Sequence, residues 1–410
     1  MDISPHSGFR RPSGRAARTG LVVVLSAALA IAPAIIPVPA TIPAAAAIPA
    51  ASAAPATAET YVVVLRPTTA AEFGTRVTAL ANHYGARVER QYTSALSGFS
   101  ARLTTSGAKA LAADPSVAYV VPDTPVRAYG GQPNPPSWGL DRVDQRKLPL
   151  DKRYRYDTLA ANVTAFILDT GVRATHADFG GRVRGGRDFV DNDNDPDDQH
   201  GHGTFLAGVV GGKEYGLAKG VKLVPVRVLD KNGSGSVSTV IAGIDWITAN
   251  AGGPSVVNMS LGGRANQALD DAVRGSITAG VTYSVPAGSS GGSAGTISPA
   301  RVTEAITSAS LTQTDCAAVN SNSGPVVDLY APGVGIVGPW ITANDAKVTL
   351  SGTSLAAAHT TGAAALRLGT QPTLTPAGVQ AALVRSASTG VCELPVNTAD
   401  RILYTGPFGY

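Results

Sequence analysis

The sequence predicts an α/β fold: a large domain built on a mostly parallel sheet, preceded by a smaller α+β unit. Two observations predict the large domain, namely continuous Val/Ile/Leu runs and the helical patterns that alternate with them. Strands that are apolar along their whole length are typical of a parallel sheet covered by helices on both faces. A third observation predicts the smaller unit: nearer the N-terminus, a shorter segment has strand and helix patterns in an order that differs from that of the large domain.

Residues 1–57 have the composition of an export signal followed by an Ala/Pro-rich segment. An apolar stretch from Leu21 to Ile31 follows a group of arginines: Arg10, Arg11, Arg15 and Arg18. Ala-rich sites suited to signal peptidase come next. A membrane anchor is the alternative, but prolines interrupt the apolar stretch well short of the ~20 residues that a span needs. We therefore expect a secreted, extracellular protein without a membrane attachment after signal removal.

Residues 58–127 are predicted to form a small split βαβ sandwich. Apolar β runs and helical spacing follow the order strand-helix-strand-strand-helix-strand. The elements are Tyr61–Leu65, Thr68–Tyr84, Arg87–Tyr92, Phe99–Leu103, Ser106–Ala113 and Val117–Val121. A Gly/Pro-rich stretch over residues 128–136 then predicts an exposed linker.

Residues 137–410 are predicted to form the large domain. Four runs are expected to be strands buried on both faces: Val163–Leu168, Leu223–Val228, Val256–Met259 and Val281–Val285. Helical patterns lie at Ser238–Ala249 and Ala268–Ala279, and another begins near Ser354. Reactive groups gather at the carboxyl ends of strands in such sheets. Asp169 directly follows the first of these strands.

Three short segments, far apart in the chain, each place a different reactive side chain at a tight turn. Asp169, His202 and Ser354 stand in Asp-Thr-Gly, Gly-His-Gly-Thr and Gly-Thr-Ser sequences. They supply a carboxylate, a proton carrier and a nucleophile, the minimum set for acyl transfer by serine. Each alone has an ordinary alternative, since Ser354 or Thr353 suits a helix N-cap and Asp169 an Asx turn. Their coincidence in this kind of sheet favours the joint interpretation.

Composition argues for a globular protein that does not bind nucleic acid. Of 410 residues, 44% are hydrophobic and 15% charged, and acidic and basic residues are mixed at a net charge of +4. The sequence contains no basic run with interleaved aromatic residues. The two cysteines, Cys316 and Cys392, either pair outside the cell or remain free thiols, and the sequence leaves both alternatives open.

From Pro136 onward the chain resembles the subtilisin-like serine proteases, especially their proteinase K-like branch. The matching stretches follow one another in the family's order: Leu168–Gly171, His200–Thr204, Val226–Asp230, Asn232–Ser236, Ser260–Gly263 and Ser351–Ser354. The resemblance implies a subtilisin-like three-layer domain. It further implies that Asp169 orients His202 and that His202 takes the proton from Ser354. Ser354 would then attack the peptide carbonyl.

The resemblance also implies how a substrate binds. An extended peptide would add as a strand between two Gly/Ser-rich segments, and main-chain hydrogen bonds would give broad specificity. The implied substrate-binding residues are Gly233, Ser234, Gly235, Ser260, Leu261, Gly262, Ala287 and Gly288.

The unit Tyr61–Arg127 resembles the family's ferredoxin-like propeptide, an intramolecular chaperone and inhibitor. Its tail, Asp123–Tyr129, would occupy the cleft like a product, and cleavage between about Tyr129 and Gln132 would release the mature enzyme. An unrelated accessory domain is the alternative. The expected partners are therefore protein or peptide substrates and the chain's own propeptide, and the mature enzyme is expected to be a monomer.

Ser289 departs from the family's pattern. The family places an oxyanion-hole asparagine in an Ala-Gly-Asn turn, at a fixed distance before Ser-Pro-Ala. Here Ala287-Gly288-Ser289 precedes Ser298-Pro299-Ala300 at the same spacing. The Ser289 hydroxyl lies a bond closer to the backbone than an amide nitrogen would, so we expect it to reach an oxyanion only through a bridging water. The N–H of Ser354 and the hydroxyl of Thr353 then remain as oxyanion donors. The sequence thus predicts a slowed, broad-specificity secreted serine endopeptidase. The alternative is an impaired homologue that acts as a peptide-binding module.

Two groups of residues are candidate calcium ligands. An acidic cluster could bind calcium or form a solvated loop: Asp191, Asp193, Asp195, Asp197 and Asp198. Asp328 matches a calcium carboxylate of the family, with backbone carbonyls supplied near Thr303 and Ala305. The resemblance implies a structural role for calcium and no cofactor for catalysis.

Overall fold

The computed structural model describes residues 58–123 and 130–406 of the chain. Contacts divide the described residues into two compact units, residues 58–123 and residues 130–406. The predicted export segment and the predicted propeptide tail beyond residue 123 lie outside the described residues. Within the described ranges, no helix has both the length and the apolar character that crossing a membrane requires.

The first unit is an α+β sandwich with its elements in the predicted order. They are β1 Glu59–Leu65, α1 Ala70–Tyr84, β2 Arg87–Tyr92, β3 Gly98–Leu103, α2 Thr105–Ala112 and β4 Val117–Pro122. The strands form an antiparallel sheet in the order β2-β3-β1-β4. Helix α1 buries Phe73, Val77 and Leu80 in the unit's core, because residues three or four apart share one helix face.

The second unit contains a central sheet of seven parallel strands: β7 Thr164–Asp169, β8 Arg187–Asp188, β9 Lys222–Arg227, β10 Ser255–Asn258, β12 Thr282–Pro286, β14 Ile306–Leu311 and β15 Leu329–Pro332. Their order across the sheet is β15-β14-β12-β10-β7-β9-β8. The shorter paired strands are β5 Gly130–Pro133, β6 Arg153–Tyr156, β11 Gly263–Arg264, β13 Ile297–Ser298, β16 Ile336–Pro339 and β17 Lys347–Leu350. The α-helices are α3 Trp138–Val143, α4 His202–Gly211, α5 Val237–Asn250, α6 Gln267–Thr278, α7 Thr353–Thr370 and α8 Pro376–Ser386.

Alternate residues of β7 contribute to two different hydrophobic cores. Ala165 and Ile167 pack with residues of α4 and α7 on one face of the sheet. Phe166 and Leu168 pack with residues of α5 and α6 on the other face. Successive side chains of a strand point to opposite faces, so a central strand with helices on both sides must be apolar throughout. The predicted parallel sheet with two covered faces is confirmed.

Residues 130–133 differ from the exposed linker predicted for residues 128–136. They form β5, which pairs antiparallel with β6. The side-chain amide of Gln132 also donates a hydrogen bond to the carbonyl oxygen of Glu214, at 2.9 Å. A Gly-Gly-Gln-Pro sequence has little intrinsic strand preference, so the extended conformation depends on a partner distant in sequence.

A disulfide bond joins Cys316 and Cys392, which resolves the question that the sequence left open. The two residues are 76 positions apart, with a Cα–Cα distance of 4.2 Å. Next to the bridge, Asp315 accepts hydrogen bonds from the buried guanidinium of Arg142, at 2.6 and 3.1 Å. The bridge and this ion pair therefore fix the loop after β14 to the C-terminal segment and to α3.

Replacing both cysteines by serine should lower the free energy of unfolding by about 2–4 kcal/mol, because the bridge closes a long loop and restricts the unfolded chain. Urea unfolding of the Ser354→Ala protein, which cannot digest itself if Ser354 is the nucleophile, would measure the change. The same protein under reducing conditions is the control and should match the double serine variant. Equal stability with and without the bridge would contradict this prediction.

Candidate active site

Asp169 ends the central strand β7, and its carboxylate is fully buried at the carboxyl edge of the sheet. Oδ1 accepts a hydrogen bond from the backbone N–H of Thr170 at 2.8 Å and lies 2.7 Å from Nδ1 of His202. A carboxylate only accepts hydrogen bonds, so Nδ1 of His202 carries the proton. The other ring nitrogen, Nε2, is thereby left in the form that accepts a proton.

His202 is the first residue of α4, and the turn before it requires glycine. Gly201 has φ of 108°, and a Cβ atom there would approach the ring of Trp340 to 2.6 Å. Only glycine combines that conformation with so close a contact. The imidazole is 24% exposed and lines a cleft, whereas Asp169 behind it is inaccessible to solvent. His202 can therefore meet a ligand while Asp169 cannot.

The pKa of His202 is raised above its usual value by opposing effects. Burial alone would lower the pKa, because it disfavours the charged imidazolium. The negative charge and the hydrogen bond of Asp169, with a further contribution from the charge of Asp198, outweigh burial. The site thus stabilises a protonated His202, the state that a general base reaches after it takes a proton.

Hydrogen bonds to Asp198 connect the turn after β7 to the start of α4. The carboxylate of Asp198 is 4% exposed and accepts five hydrogen bonds. The donors are Thr170 Oγ1 at 2.9 Å, the N–H groups of His200 at 2.9 Å, Gly201 at 2.8 Å and Thr204 at 2.9 Å, and Thr204 Oγ1 at 2.7 Å. Thr170 Oγ1 also accepts from Gly203 N–H at 2.9 Å. These hydrogen bonds fix the two backbone segments that carry Asp169 and His202.

Sequence reasoning misses this role, because Asp198 stands in an acidic run whose pattern predicts a calcium ligand or a solvated loop residue. One feature of the sequence indicates the role: Asp198 lies four residues before His202, just before a glycine-rich helix start. The first N–H groups of a helix have no acceptor within the helix, so a carboxylate there can accept from them. Elsewhere in the run, Asp191 pairs with Arg227 and Asp193 accepts from the N–H of Asp195.

Ser354 lies in the first turn of α7, and both it and His202 line one cleft of about 690 Å³. Its hydroxyl donates to the carbonyl oxygen of Ser260 at 3.3 Å, rather than to His202. In return, Ser260 Oγ donates to the carbonyl oxygen of Ser354 at 3.0 Å. Ser260, the second residue after β10, therefore fixes the start of α7.

The hydroxyls of Ser289 and Thr353 lie 3.0 Å apart. Ser289 Oγ accepts from the N–H of Thr353 at 3.3 Å, and Thr353 Oγ1 accepts from the N–H of Gly288 at 3.2 Å. These bonds join the loop after β12 to the start of α7. Asn322, which the sequence analysis did not single out, holds the same loop: its Oδ1 accepts from Ser290 N–H, Ser290 Oγ and Gly292 N–H, at 3.1, 2.9 and 2.9 Å.

Most of the predicted substrate-binding residues border the cleft. Gly233, Ser234 and Gly235 lie on one side, with Ser260, Leu261 and Gly262 also in the lining. Asp230 shapes the first segment by accepting from the N–H groups of Asn232 and Ser234, at 2.9 and 3.0 Å. Gly288 and Ser289 line an adjoining pocket of about 300 Å³ that also reaches Ser354. Ala287 is fully buried in the core next to it.

The site brings a carboxylate into contact with an imidazole, and a serine hydroxyl lines the same cleft at the carboxyl edge of a parallel sheet. These are the groups that a serine-type endopeptidase uses. Residues 161–404 match the Subtilase family, and residues 60–129 match the peptidase inhibitor I9 family. The chain therefore belongs to the subtilases and carries an I9 propeptide domain ahead of its peptidase domain.

Individual relatives agree with this assignment. An extracellular serine proteinase from Thermus sp. (strain Rt41A) is 49% identical over 324 residues, which are 79% of each chain. The alkaline serine exoprotease A of Vibrio alginolyticus is 45% identical over 78% of this chain and 61% of its own length. The crystal structure of a cold-adapted subtilisin-like serine proteinase matches with a TM-score of 0.64 at 47% identity, over 66% of this chain and 98% of its own.

Subtilases generally bind structural calcium and need none for catalysis. In residues 58–123 and 130–406, no group of three or more His, Cys, Asp or Glu side chains could hold a metal ion. The three residues predicted from the resemblance do come together, however. Asp328 Oδ1 and the carbonyl oxygens of Thr303 and Ala305 all lie within 3.2 Å of one atom, Nε2 of Gln380.

We expect Asp198→Asn to lower kcat for peptide hydrolysis by about 10- to 100-fold with little change in KM, because misplacement of a reacting group costs rate rather than binding. The expectation rests on the proton-carrier role proposed below for His202. Since the charge of Asp198 helps to raise the His202 pKa, the acid limb of the pH–rate profile should move to lower pH.

A pH profile of kcat/KM measured on Asp198→Asn beside Asp195→Asn would check this. Asp195 is an exposed aspartate of the same run, so its variant controls for the loss of one nearby charge. An acid limb at the same pH in both variants would show that Asp198 does not act through His202.

Proposed function

We propose that the chain is the precursor of a secreted serine endopeptidase that hydrolyses peptide bonds through an acyl-enzyme on Ser354. The 2.7 Å contact between Nδ1 of His202 and the buried carboxylate of Asp169 is the observation that carries the proposal. It supports a His202 tautomer whose Nε2 can accept a proton, and His202 and Ser354 line the same cleft.

In this proposal His202 removes the proton from Ser354 as Oγ attacks the peptide carbonyl. The hydroxyl must first leave the carbonyl oxygen of Ser260, and such hydrogen bonds commonly form only when substrate is present. His202 then returns the proton to the leaving amine, and water hydrolyses the acyl-enzyme by the same steps. Asp169 keeps its contact with Nδ1 throughout and stabilises the imidazolium.

The oxyanion would be stabilised by two donors. The N–H of Ser354 lies in the first turn of α7, where helix N–H groups have no acceptor within the helix. The second donor is a hydroxyl. Ser289 and Thr353 have two hydroxyl protons and share one hydrogen bond between them, so one proton remains for the oxyanion. This hydroxyl stabilises the oxyanion less than a side-chain amide aimed at it would. The contact between Ser289 and Thr353, rather than the oxyanion, sets the position of the hydroxyl.

An extended peptide would bind between the segments Gly233–Gly235 and Ser260–Gly262, chiefly through main-chain hydrogen bonds, which supports broad specificity. The pocket of about 300 Å³ next to Ser354 would receive the side chain before the cut. All of its lining residues are uncharged, including Ile297, Pro299 and Asn322. A charged substrate side chain would lose its hydration there without gaining a partner, so uncharged side chains are favoured.

The export-type N-terminus and the extracellular proteinase from Thermus support secretion. The I9 domain supports an inhibited precursor whose maturation cut falls between about Tyr129 and Gln132, and we propose a monomeric mature enzyme. Ser289 is the one observation in favour of the alternative, a protease homologue that binds peptides without efficient turnover.

A fluorophosphonate probe should label the folded mature protein stoichiometrically at Ser354, because only a serine activated by its base reacts with such a probe. His202→Ala should abolish the labelling. In parallel, N-terminal sequencing of the secreted protein should place the new terminus near Gly130, whereas Ser354→Ala should remain uncleaved. Folded mature protein without label would overturn the proposal in favour of the binding module.

Ser289→Asn should raise kcat by about 10- to 100-fold, a gain of ~1.4–2.7 kcal/mol in transition-state stabilisation. In another subtilase, loss of the oxyanion-hole asparagine costs about 10²–10³ in kcat, so restoring an amide donor should recover part of that range. Steady-state kinetics on a peptide substrate would measure the change, with Ser293→Asn, at an exposed serine of the same loop, as the control. A kcat within about twofold of the parent's would show that another donor already fills the role of the amide.

A further inference from the structure

Gln380 projects its side-chain amide from α8 into a site formed by three backbone and side-chain oxygens. Nε2 of Gln380 lies 3.0 Å from the carbonyl oxygen of Thr303, 3.2 Å from that of Ala305 and 3.2 Å from Oδ1 of Asp328. These are the three residues that the resemblance assigns to a calcium ion. The nitrogen is therefore at the point where the oxygens converge.

The amide and a calcium ion cannot share this point. Calcium in proteins takes 6–8 oxygen ligands at 2.3–2.6 Å, and a hydrogen-bond donor is not among them. The amide nitrogen carries two hydrogens for its three acceptors, so at least one hydrogen is shared between two oxygens. The site formed by the three oxygens therefore fits a hydrogen-bond donor. It has no room for a calcium ion while the Gln380 amide keeps this position.

The remaining contacts of Asp328 complete the arrangement without a metal. Its Oδ2 accepts a hydrogen bond from the N–H of Thr307 at 2.8 Å, and its carbonyl oxygen accepts one from the guanidinium of Arg401 at 3.4 Å. Both carboxylate oxygens therefore have protein donors, and a cationic side chain lies near the residue. A buried carboxylate needs such partners to remain in the fold.

We propose that the amide of Gln380 takes the place of a calcium ion at this site, so that the edge of the sheet is joined to α8 by hydrogen bonds instead of by a metal. Thr303 and Ala305 precede β14, and Asp328 precedes β15, so the amide joins the entries of the two strands at that edge of the sheet. The inference does not depend on the proposed catalytic function. It concerns stability and metal content, and it holds for an inactive protein as well.

The test uses the full chain with Ser354→Ala as the parent, to prevent self-digestion. Gln380→Ala removes the amide, Gln380→Glu adds an oxygen ligand, and Gln371→Ala is the control, an exposed glutamine at the end of α7. Melting temperatures are compared in EDTA and in CaCl₂, and each variant's calcium-induced shift is compared with the parent's, so that ions bound elsewhere cancel. Crystals grown with CaCl₂ are examined for anomalous scattering at the site.

In EDTA, Gln380→Ala should melt about 2–4 °C below the parent, because the exposed carbonyl oxygen of Thr303 and the part-buried oxygens of Ala305 and Asp328 lose a shared donor. Calcium should restore most of that loss in Gln380→Ala and raise the melting temperature of Gln380→Glu further, while Gln371→Ala should follow the parent. The anomalous peak should be absent in the parent and present in both Gln380 variants.

Two results would overturn the inference. A calcium peak between Asp328, Thr303 and Ala305 in the parent, with the Gln380 amide displaced, would show that the ion prevails over the amide. No peak and no additional calcium-induced shift in either Gln380 variant would show that the three oxygens do not form a cation site. In that case the glutamine replaces nothing.

Discussion

The hydrogen bond between Asp169 and His202 is the interaction on which the rest of the site depends. The Asp169 carboxylate lies where no solvent reaches it, so the protein itself must supply its hydrogen-bond partners. Asp169 ends a central strand and His202 begins a helix, and neither element alone fixes the distance between them. Asp198 does so, because its hydrogen bonds reach both the turn after β7 and the first N–H groups around α4.

Ser354 reaches the same edge of the sheet through a different element, and its position depends on a separate set of contacts. Reciprocal hydrogen bonds with Ser260 connect the start of α7 to the end of β10. Deeper in the same interface, Asn258 donates to Ser260 Oγ at 3.0 Å and accepts from Thr361 of α7 at 3.2 Å. Because β10 and β7 pair in parallel register, these contacts relate α7 to the strand that carries Asp169. The rigid sheet thus connects two local networks.

The sequence predicted best what short-range pattern determines. Strands β7, β9, β10 and β12 fall within two residues of their predicted bounds, because unbroken apolar runs specify strands buried on both faces. Strand β5 was not predictable, since its Gly-rich sequence becomes extended only by pairing with β6. The bridge between Cys316 and Cys392 and the burial of Asp198 likewise depend on residues distant in sequence. Asp198 looks like a solvated loop residue until the fold surrounds it with donors.

Ser289 and Gln380 are two departures that obey the same physical rule. Ser289 stands where the resemblance implies an asparagine, and the Gln380 amide lies where the resemblance implies a calcium ion. In both places the neighbouring backbone groups keep their hydrogen bonds. Ser289 still accepts from the N–H of Thr353, and Gln380 still satisfies the carbonyl oxygens of Thr303 and Ala305. A buried group left unpaired costs about 1–3 kcal/mol, a large fraction of net stability. Because both departures keep the local hydrogen bonds, we expect their effects on turnover rate and on metal affinity rather than on folding.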